Sequence, residues 1–284
     1  MNEALNQYIT SFFDYLLNIR GYSEATVETY EIALRQMVKV SYLYREDEVW
    51  VLDITPFRFK IIKNSKKTIV KKLSAIHSMI KYLEEQCHLK IKVISDESIK
   101  VPQSLPKPIE EQYIDEVLEK STIEEKLLIS MLYGLGLRIS ELSGLKLNDI
   151  RGEWIEIHGK GNKMRQLPLL DSLQELLQTY FMYTKPKKYL FEKGNIPMSS
   201  AQLRYKLTKL FKASGIKATP HQLRHSFATH LLNHGARIAD VSELLGHETM
   251  ATTQVYTKLG SVKKMQEYMK AHPLAHIKYL SNNK

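Results

Sequence analysis

Four side chains that could act together on a phosphate lie in one stretch near the C-terminal end of the chain. His221, Arg224, His247 and Tyr256 all fall within residues 221–256. An arginine guanidinium is permanently positive and makes paired hydrogen bonds to phosphate oxygens, and a tyrosine hydroxyl can act as a covalent nucleophile. The imidazoles can exchange protons or hydrogen-bond a phosphate oxygen. This segment therefore indicates most of a phosphoryl-transfer site, with Tyr256 as the nucleophile.

The histidines of the same segment also raise the alternative of a metal site. His230 and His234 are four residues apart, a spacing that suits two ligands on one helical face. A metal-hydrolase helix of the H-E-x-x-H type, however, would carry glutamate at the position of Gln222, and cysteines and carboxylates are sparse nearby. We therefore expect no metal or other cofactor, and packing or surface roles for His225, His230 and His234.

Two further cationic residues stand in predicted turns earlier in the chain. Gly134 and Gly136 predict a tight turn from which Arg138 emerges close to Glu141. Apolar residues alternate on both sides of the sequence GKGN, which predicts a β-hairpin with Lys160 at its tip. Considered singly, Arg138 could equally be a surface residue, and Lys160 could equally serve only solubility.

Helical spacing predicts the elements that position these groups. Thr219 and Pro220 mark the start of a helix at His221, and residues 238–246 form a short helix that ends at a glycine just before His247. Tyr256 is expected on a further helix. Other helices of this half are predicted over residues 109–119, 123–133, 171–183 and 199–215.

The first part of the chain is predicted to be mostly helical. Apolar residues recur at helical spacing over residues 3–19, over residues 24–44 and again from about Lys66. Gly21 predicts a C-terminal cap and Ser23 an N-terminal cap between the first two helices.

A domain boundary is predicted near residue 100. Residues 95–108 carry three prolines and no periodicity, which is typical of an extended linker. We expect a helical domain over residues 1–94 and a second domain over residues 109–284. The expected fold class is mainly α, with a small antiparallel β-sheet in the C-terminal domain.

Composition and charge favour a globular chain with a polyanionic partner. The 284 residues are 43% hydrophobic and 25% charged, with a formal net charge of +10. The single cysteine, Cys87, cannot form an internal disulfide. The N terminus does not resemble a signal peptide and no apolar run is long enough to span a membrane, so we expect a soluble, cytoplasmic protein without a membrane partner.

The positive charge of the first domain is concentrated in residues 58–92, whereas residues 1–57 are net acidic. The basic stretch surrounds a predicted helix start with serine and threonine, which favours contact with DNA phosphates over the alternative of a solvated helix face. The candidate DNA-contact residues, including one from the second domain, are Lys63, Lys66, Lys67, Thr68, Lys71, Lys72 and Arg204.

Five motifs together resemble the tyrosine recombinase (phage integrase-like) family, most closely its Xer-type members. They are GLGLRISEL, GKGNK, HQLRH, LLGH and the tyrosine that follows the last histidine. One departure is Lys258, where many relatives have histidine. The resemblance implies a catalytic set of Arg138, Lys160, His221, Arg224, His247 and the nucleophile Tyr256, with Glu141 supporting the first arginine.

The resemblance also implies how such a protein works. The N-terminal domain would be a SAM-like helical bundle that binds the DNA core site, and the strands would be cut through a 3′-phosphotyrosyl intermediate and a Holliday junction, without ATP or metal. The implied partners are double-stranded DNA with inverted-repeat half-sites, a homotetramer on two duplexes or a paralogue within it, and a DNA translocase as activator. A C-terminal docking helix is expected over residues 261–271.

Several functions fit this resemblance. Resolution of chromosome or plasmid dimers is the expected role, and integration of a mobile element is the first alternative. A type IB topoisomerase uses similar chemistry, and a DNA-binding regulator without enzymatic activity would need Tyr256 only for its structure.

Overall fold

The computed structural model describes residues 2–101, 107–159, 164–246 and 268–274. The chain divides into two compact units, residues 1–104 and residues 105–284. Within the described ranges, no helix is long and apolar enough to cross a membrane. Lys160, His247, Tyr256 and most of the predicted docking helix lie outside the described residues.

Four helices build the first unit. They are α1 (Asn2–Asp14), which continues as a π-helical turn (Tyr15–Ile19), α2 (Glu24–Val38), α3 (Thr55–Ile61) and α4 (Lys66–Glu85). Gly21 has a φ of +63°, as expected of the glycine that ends the first helix. Ser23 stands at the N-cap of α2, but its hydroxyl bonds the hydroxyl of Thr26 and does not cap the backbone.

A small sheet in the first unit was not predicted. The expected helix over residues 24–44 is wrong beyond Val38, since Tyr42–Glu46 forms strand β1. Strand β2 (Val49–Asp53) pairs antiparallel with β1, and β3 (Ile91–Ile94) runs parallel to β2. Aromatic and β-branched residues dominate β2 and pack better on a pleated sheet than on a continued helix. The mainly helical fold with small sheets is confirmed, but both units contain a sheet.

The first residues of the predicted linker are fixed to the first unit. Arg58 donates to the carbonyl oxygens of Ser95 and Glu97, both at 2.8 Å, and His77 contacts Asp96. These contacts come from α3 and α4. The segment after β3 therefore has no regular structure, but it packs against the unit it leaves.

Seven helices and three short antiparallel strands form most of the described second unit. The helices are α5 (Glu111–Lys120), α6 (Ile123–Ile129) with a π-helical turn (Ser130–Gly134), α7 (Ile139–Ser143), α8 (Asp171–Thr184), α9 (Ser200–Ala213), α10 (Pro220–Asn233) and α11 (Ile238–Leu245). The sheet contains β4 (Ile150–Arg151), β5 (Trp154–His158) and β6 (Met164–Pro168), and β7 (Glu192–Lys193) pairs with β8 (Ile196–Pro197).

The second unit is organised around α6 and α10, which are apolar on the sides that face its core. Leu127, Leu132, Leu223, Phe227 and Leu231 are buried there. The predicted hairpin is confirmed in antiparallel register, with Ile155 opposite Leu167 and Ile157 opposite Arg165. An arginine thus occupies the inward face of β6, and it leads to the candidate site.

Candidate active site

Arg138 stands at the N-terminus of α7, where its own helix holds it. Its backbone N–H and its Nη1 donate to the two carboxylate oxygens of Glu141, each at 2.8 Å. The side chain of Arg138 is 41% exposed, whereas that of Glu141 is 4% exposed. One edge of this guanidinium is therefore fixed by a buried carboxylate, and the rest is open to solvent or to a ligand.

The turn before Arg138 lies directly against α10 and α11. Gly136 has a φ of +60°, and a Cβ built at this residue would be 2.5 Å from the ring of Phe227 and 2.8 Å from Leu245. Only glycine combines this conformation with so close an approach. Gly136 therefore allows the turn before Arg138 to lie in close contact with α10 and α11.

Arg224 is buried on α10, and its guanidinium donates hydrogen bonds to backbone carbonyls. Nη1 donates to the carbonyl of Gly136 at 2.6 Å, and Nη2 donates to the carbonyl of Leu245 at 2.5 Å. Burial, followed by the charge of Arg138, lowers the pKa of Arg224 to about 10, with Glu141 opposing the shift. The guanidinium remains charged at neutral pH, and its orientation is fixed by the turn at Gly136 and by the end of α11.

Glu141 is shared by three arginines. Arg165 donates from Nη1 and Nη2 to its two oxygens, both at 2.9 Å, and Arg224 Nη1 lies 4.0 Å away. Burial alone would raise the pKa of the Glu141 carboxyl, but the hydrogen bonds and charge of Arg165, and then those of Arg138, lower it below its usual value. The cluster of Arg138, Glu141, Arg165 and Arg224, called here the arginine cluster, therefore carries a net positive charge.

Arg165 was missed by the sequence analysis. Its side chain is 8% exposed, and it shares the inward face of β6 with Leu167. The signal was available, because an arginine two residues before a core leucine on a strand points into the protein and needs a buried partner. The partner itself could not be read from the sequence, since Glu141 lies on another element.

Matches to known proteins now decide the family. Residues 103–261 match the family model described as "Phage integrase family". The chain belongs to the phage integrase family of tyrosine recombinases. It is similar to "Tyrosine recombinase XerC" of Bacillus licheniformis, with 31% identity covering 96% of this chain and 98% of that protein. The Haemophilus influenzae protein of the same name is 32% identical, covering 98% of this chain and 100% of its own length.

This recombinase is a DNA strand-exchange enzyme of the Xer type. A solved structure titled as a lambda integrase tetramer bound to a Holliday junction superimposes with a TM-score of 0.67 at 15% identity, covering 88% of this chain and 80% of that one. At this identity the likeness shows a shared fold.

The structure brings only part of the predicted catalytic set of the recombinase together. Arg138, Glu141 and Arg224 meet in the arginine cluster, and His221 is exposed on the first turn of α10. Gly246, the last described residue before His247, lies against the cluster: its carbonyl is 3.4 Å from Arg138 Nη2, and a Cβ built on it would be 3.4 Å from Arg165 Cδ.

His230 and His234 have partners within the recombinase. His230 is buried, and its Nδ1 is 2.6 Å from the hydroxyl of Tyr133. His234 Nδ1 lies 3.3 Å from the carbonyl of Ala271 and its Nε2 lies 3.3 Å from Glu111. Over the described ranges, no group of three or more His, Cys, Asp or Glu side chains is placed to hold a metal ion.

The predicted DNA-contact residues surround the start of α4, with one on α9. Ser65 caps α4 by accepting from the N–H of Thr68 at 3.2 Å. Lys72 is half-buried and its Nζ donates to Gln36 at 2.7 Å, so its charge is directed along the unit's own surface. The exposed members are Lys63, Lys66, Lys67, Thr68, Lys71 and Arg204.

Proposed function

We propose that this recombinase cuts DNA by attack of the Tyr256 hydroxyl on a backbone phosphate, which forms a 3′-phosphotyrosyl intermediate and leads through a Holliday junction to rejoined strands. The observation that carries the proposal is the pair of arginines, Arg138 and Arg224, whose guanidinium groups are fixed around one buried carboxylate. A preorganised pair of this kind suits the transferred phosphoryl group.

The charge of the arginine cluster matches the needs of the reaction. The transition state of phosphoryl transfer gathers negative charge on the nonbridging oxygens, which guanidinium groups stabilise by paired hydrogen bonds. Glu141 compensates for only part of the positive charge of the three arginines around it. Since Arg138 is partly exposed, its remaining N–H groups are available to a phosphate.

The other predicted residues complete the chemistry. A free tyrosine has a pKa of about 10, so the hydroxyl of Tyr256 must lose its proton during the attack, and His221 would accept it or orient the phosphate. Lys160 would protonate the 5′-oxygen leaving group, and His247 would hydrogen-bond a nonbridging oxygen. In this scheme side-chain cations supply the positive charge that Mg²⁺ supplies in other phosphoryl transfers.

The two units divide the work between binding and catalysis. Residues 1–94 would form the DNA core-binding domain, residues 95–108 the linker and residues 109–284 the catalytic domain. The exposed lysines at the start of α4 and Arg204 on α9 support phosphate contacts from both units. The substrate would be double-stranded DNA with inverted-repeat half-sites. Because such a substrate lies in the cytoplasm, the recombinase would act there.

A tetramer on two duplexes would carry out strand exchange, and a paralogue could replace some of the copies. The lambda integrase tetramer crystallised on a Holliday junction supports this arrangement through its shared fold. The expected docking helix, residues 261–271, would bind a neighbouring copy. In the single chain, Tyr268 and Ala271 are buried in their own unit, and His272 donates to the carbonyl of Gly134 at 2.5 Å, so docking on a neighbour would require their release.

Resolution of chromosome or plasmid dimers, with a DNA translocase as activator, is the cellular role we propose. The near full-length likeness to two XerC proteins supports it.

A nicked suicide substrate, from which the cut strand diffuses away, tests the proposed reaction. Wild-type protein should form a covalent protein–DNA adduct, because the lost strand cannot reverse the attack. Tyr256→Phe should bind the same DNA and form no adduct, whereas Tyr183→Phe, at a tyrosine 76% exposed on α8, should react like wild type. A wild-type protein without any adduct would overturn the enzymatic proposal. Relaxation of supercoiled DNA without a specific site would favour the topoisomerase alternative.

A further inference from the structure

Arg165 connects three elements of the second unit. From strand β6 it reaches Glu141 on α7 with both terminal nitrogens, at 2.9 Å each. Its Nε donates to the carbonyl of Leu244 at 3.0 Å. These three contacts engage Nε, Nη1 and Nη2 of the guanidinium, a geometry that a lysine cannot reproduce because its ammonium is a point donor. A single buried side chain thus links the hairpin, the helix behind Arg138 and the end of α11.

The end of α11 is held by two arginines in succession. Arg165 binds the carbonyl of Leu244, and Arg224 binds the carbonyl of Leu245. The last carbonyls of a helix lack partners within the helix and carry its negative end, so cations are suited to bind them. Gly246 follows in the left-handed conformation, with a φ of +62°, and the chain then continues to His247.

Arg165 and Arg138 also depend on the same carboxylate. Each donates to both sides of Glu141, Arg138 through its backbone N–H and Nη1 and Arg165 through its two terminal nitrogens. A carboxylate with one guanidinium partner can rotate about its side-chain torsions. Four hydrogen bonds from two directions hold the Glu141 carboxylate in a single orientation. The edge of Arg138 that binds this carboxylate is thereby oriented as well.

We infer that Arg165 is a positioning residue of the DNA-cleavage site: through Glu141 it orients Arg138, and through Leu244 it sets the end of α11 that leads to His247. The inference rests on the proposed function, since it assigns to Arg165 the placement of groups that act on the phosphate. Arg165 itself would act through the protein and not by touching DNA, because its Nε, Nη1 and Nη2 all donate to Glu141 or to Leu244.

The inference predicts a defect in chemistry without a matching defect in DNA binding. The probe is a nicked duplex that carries a cleavage position mapped with the wild-type protein. Arg165→Met should bind it within about 3-fold of the wild-type Kd, but at saturating DNA the first-order rate of adduct formation should fall about 100-fold. Arg165→Lys should lose about 10-fold, since it keeps a charge beside Glu141 without the paired geometry.

A matched control comes from another strand of the same sheet. Arg151 on β4 is an arginine of the same sheet, but its side chain is 71% exposed and lies 3.8 Å from Glu156. Arg151→Met should retain both the wild-type affinity and the wild-type rate of adduct formation.

The pH dependence separates positioning from a general loss of structure. Among the residues that the structure describes, three charged groups face the carboxyl of Glu141, namely Arg138, Arg165 and Arg224. Arg165 makes the largest contribution that lowers the pKa of Glu141, so its removal raises this pKa and the carboxylate is lost at a higher pH than in the wild-type protein. The rate deficit of Arg165→Met, corrected for the folded and DNA-bound fraction, should therefore grow as the pH is lowered.

A second variant keeps the test decisive if Arg165→Met folds poorly. Glu141→Gln combined with Arg165→Met removes both buried charges at once and so leaves no unpaired carboxylate. If Arg165 acts through Glu141, its removal in the Glu141→Gln background should cost less than about 5-fold beyond Glu141→Gln alone, and this loss should not depend on pH. Compared with the loss of about 100-fold in the wild-type background, this is an interaction of at least about 20-fold, within the range expected for residues in direct contact.

The possible outcomes are distinct. A wild-type rate of Arg165→Met at every pH would overturn the inference, as would a pH-independent loss that is equally large in the Glu141→Gln background. Either result leaves the proposed function intact as long as the wild-type protein forms its adduct. Absence of the wild-type adduct would instead overturn the proposed function and, with it, this inference.

Discussion

The two units of this recombinase carry positive charge in opposite ways. At the start of α4, Lys66 and Lys67 are exposed on a solvent-facing turn. In the arginine cluster, the side chain of Arg224 is 9% exposed, and its guanidinium donates to the backbone carbonyls of the turn at Gly136 and of the last residue of α11. One set of cations is free to follow a polyanion, and the other is fixed before any ligand arrives.

This difference matches the two tasks of a strand-exchange enzyme. Exposed lysines gain affinity by displacing counterions from DNA, and their exact position matters little. Charges that stabilise a transition state must already be oriented, since reorganisation during the reaction would cost much of the benefit. Substitutions in the two clusters should therefore affect different quantities.

The largest effect should follow the loss of Arg224. Arg224→Gln should lower the rate of adduct formation at saturating DNA about 1000-fold, equivalent to about 4 kcal/mol of transition-state stabilisation, because one of the two fixed guanidinium groups is lost. Single-turnover assays on the nicked substrate, with the folded fraction measured by circular dichroism, would provide the number.

Arg237→Gln is the control for that substitution, since Arg237 has a 62% exposed side chain paired with Asp240 just before α11. It should react within about 2-fold of wild type, as a surface ion pair contributes little. If Arg224→Gln instead weakened DNA binding and reacted at the normal rate once bound, the contrast between the two clusters would not hold.

A smaller effect should come from the turn beneath Arg138. Gly136→Ala places a methyl group 2.5 Å from the ring of Phe227 at a φ of +60°, so it should destabilise the second unit by about 2–4 kcal/mol. Gly152→Ala shares the strained conformation, with a φ of +59°, but meets no atom within 4 Å. It should cost about 1 kcal/mol.

Urea denaturation of both variants would separate backbone strain from steric overlap. Equal losses of unfolding free energy would mean that the turn moves away from α10 easily. The fixed geometry inferred for the arginine cluster would then need revision.

The smallest effect should be that of a single lysine in the first unit. Lys66→Ala should weaken DNA binding about 3-fold and make the slope of log affinity against log salt less steep by about 0.9, because one phosphate contact is lost. Lys81→Ala is the control on the same helix, where Lys81 lies 3.6 Å from Glu85 near the opposite end.

Anisotropy titrations at several salt concentrations would measure both slopes. The rate of adduct formation at saturating DNA should not change in either variant. A salt slope for Lys66→Ala equal to that of the control would remove the start of α4 from the proposed DNA surface.

Much of the fold could be predicted because its signals are local. Thr219 accepts from the N–H of Gln222 at the start of α10, and Gly246 ends α11 in the left-handed conformation, as the cap residues indicated. The hairpin of β5 and β6 followed from alternation. The prediction that α2 continues to Tyr44 was wrong. The helical spacing of apolar residues extends a few residues past Val38, but the last of these residues pair with β2 and form a strand.

The candidate site was predicted less evenly. The motifs singled out Arg138, Glu141 and Arg224, and the structure brings these three side chains together. Lys72 was one of the candidate DNA-contact residues, and its Nζ donates to Gln36 on a neighbouring helix. Helix spacing gives the direction of a side chain but not the identity of its partner across a helix interface.

The sequence by itself determined the residue types, their order and the local turns and caps, because these depend on interactions within a few residues. Only the tertiary structure decided that Arg165 joins the cluster, that Arg224 is oriented by the carbonyls of Gly136 and Leu245, and that one carboxylate serves three guanidinium groups. These contacts join residues far apart in the chain, and a buried charge takes whichever partner the packing of the core brings within reach.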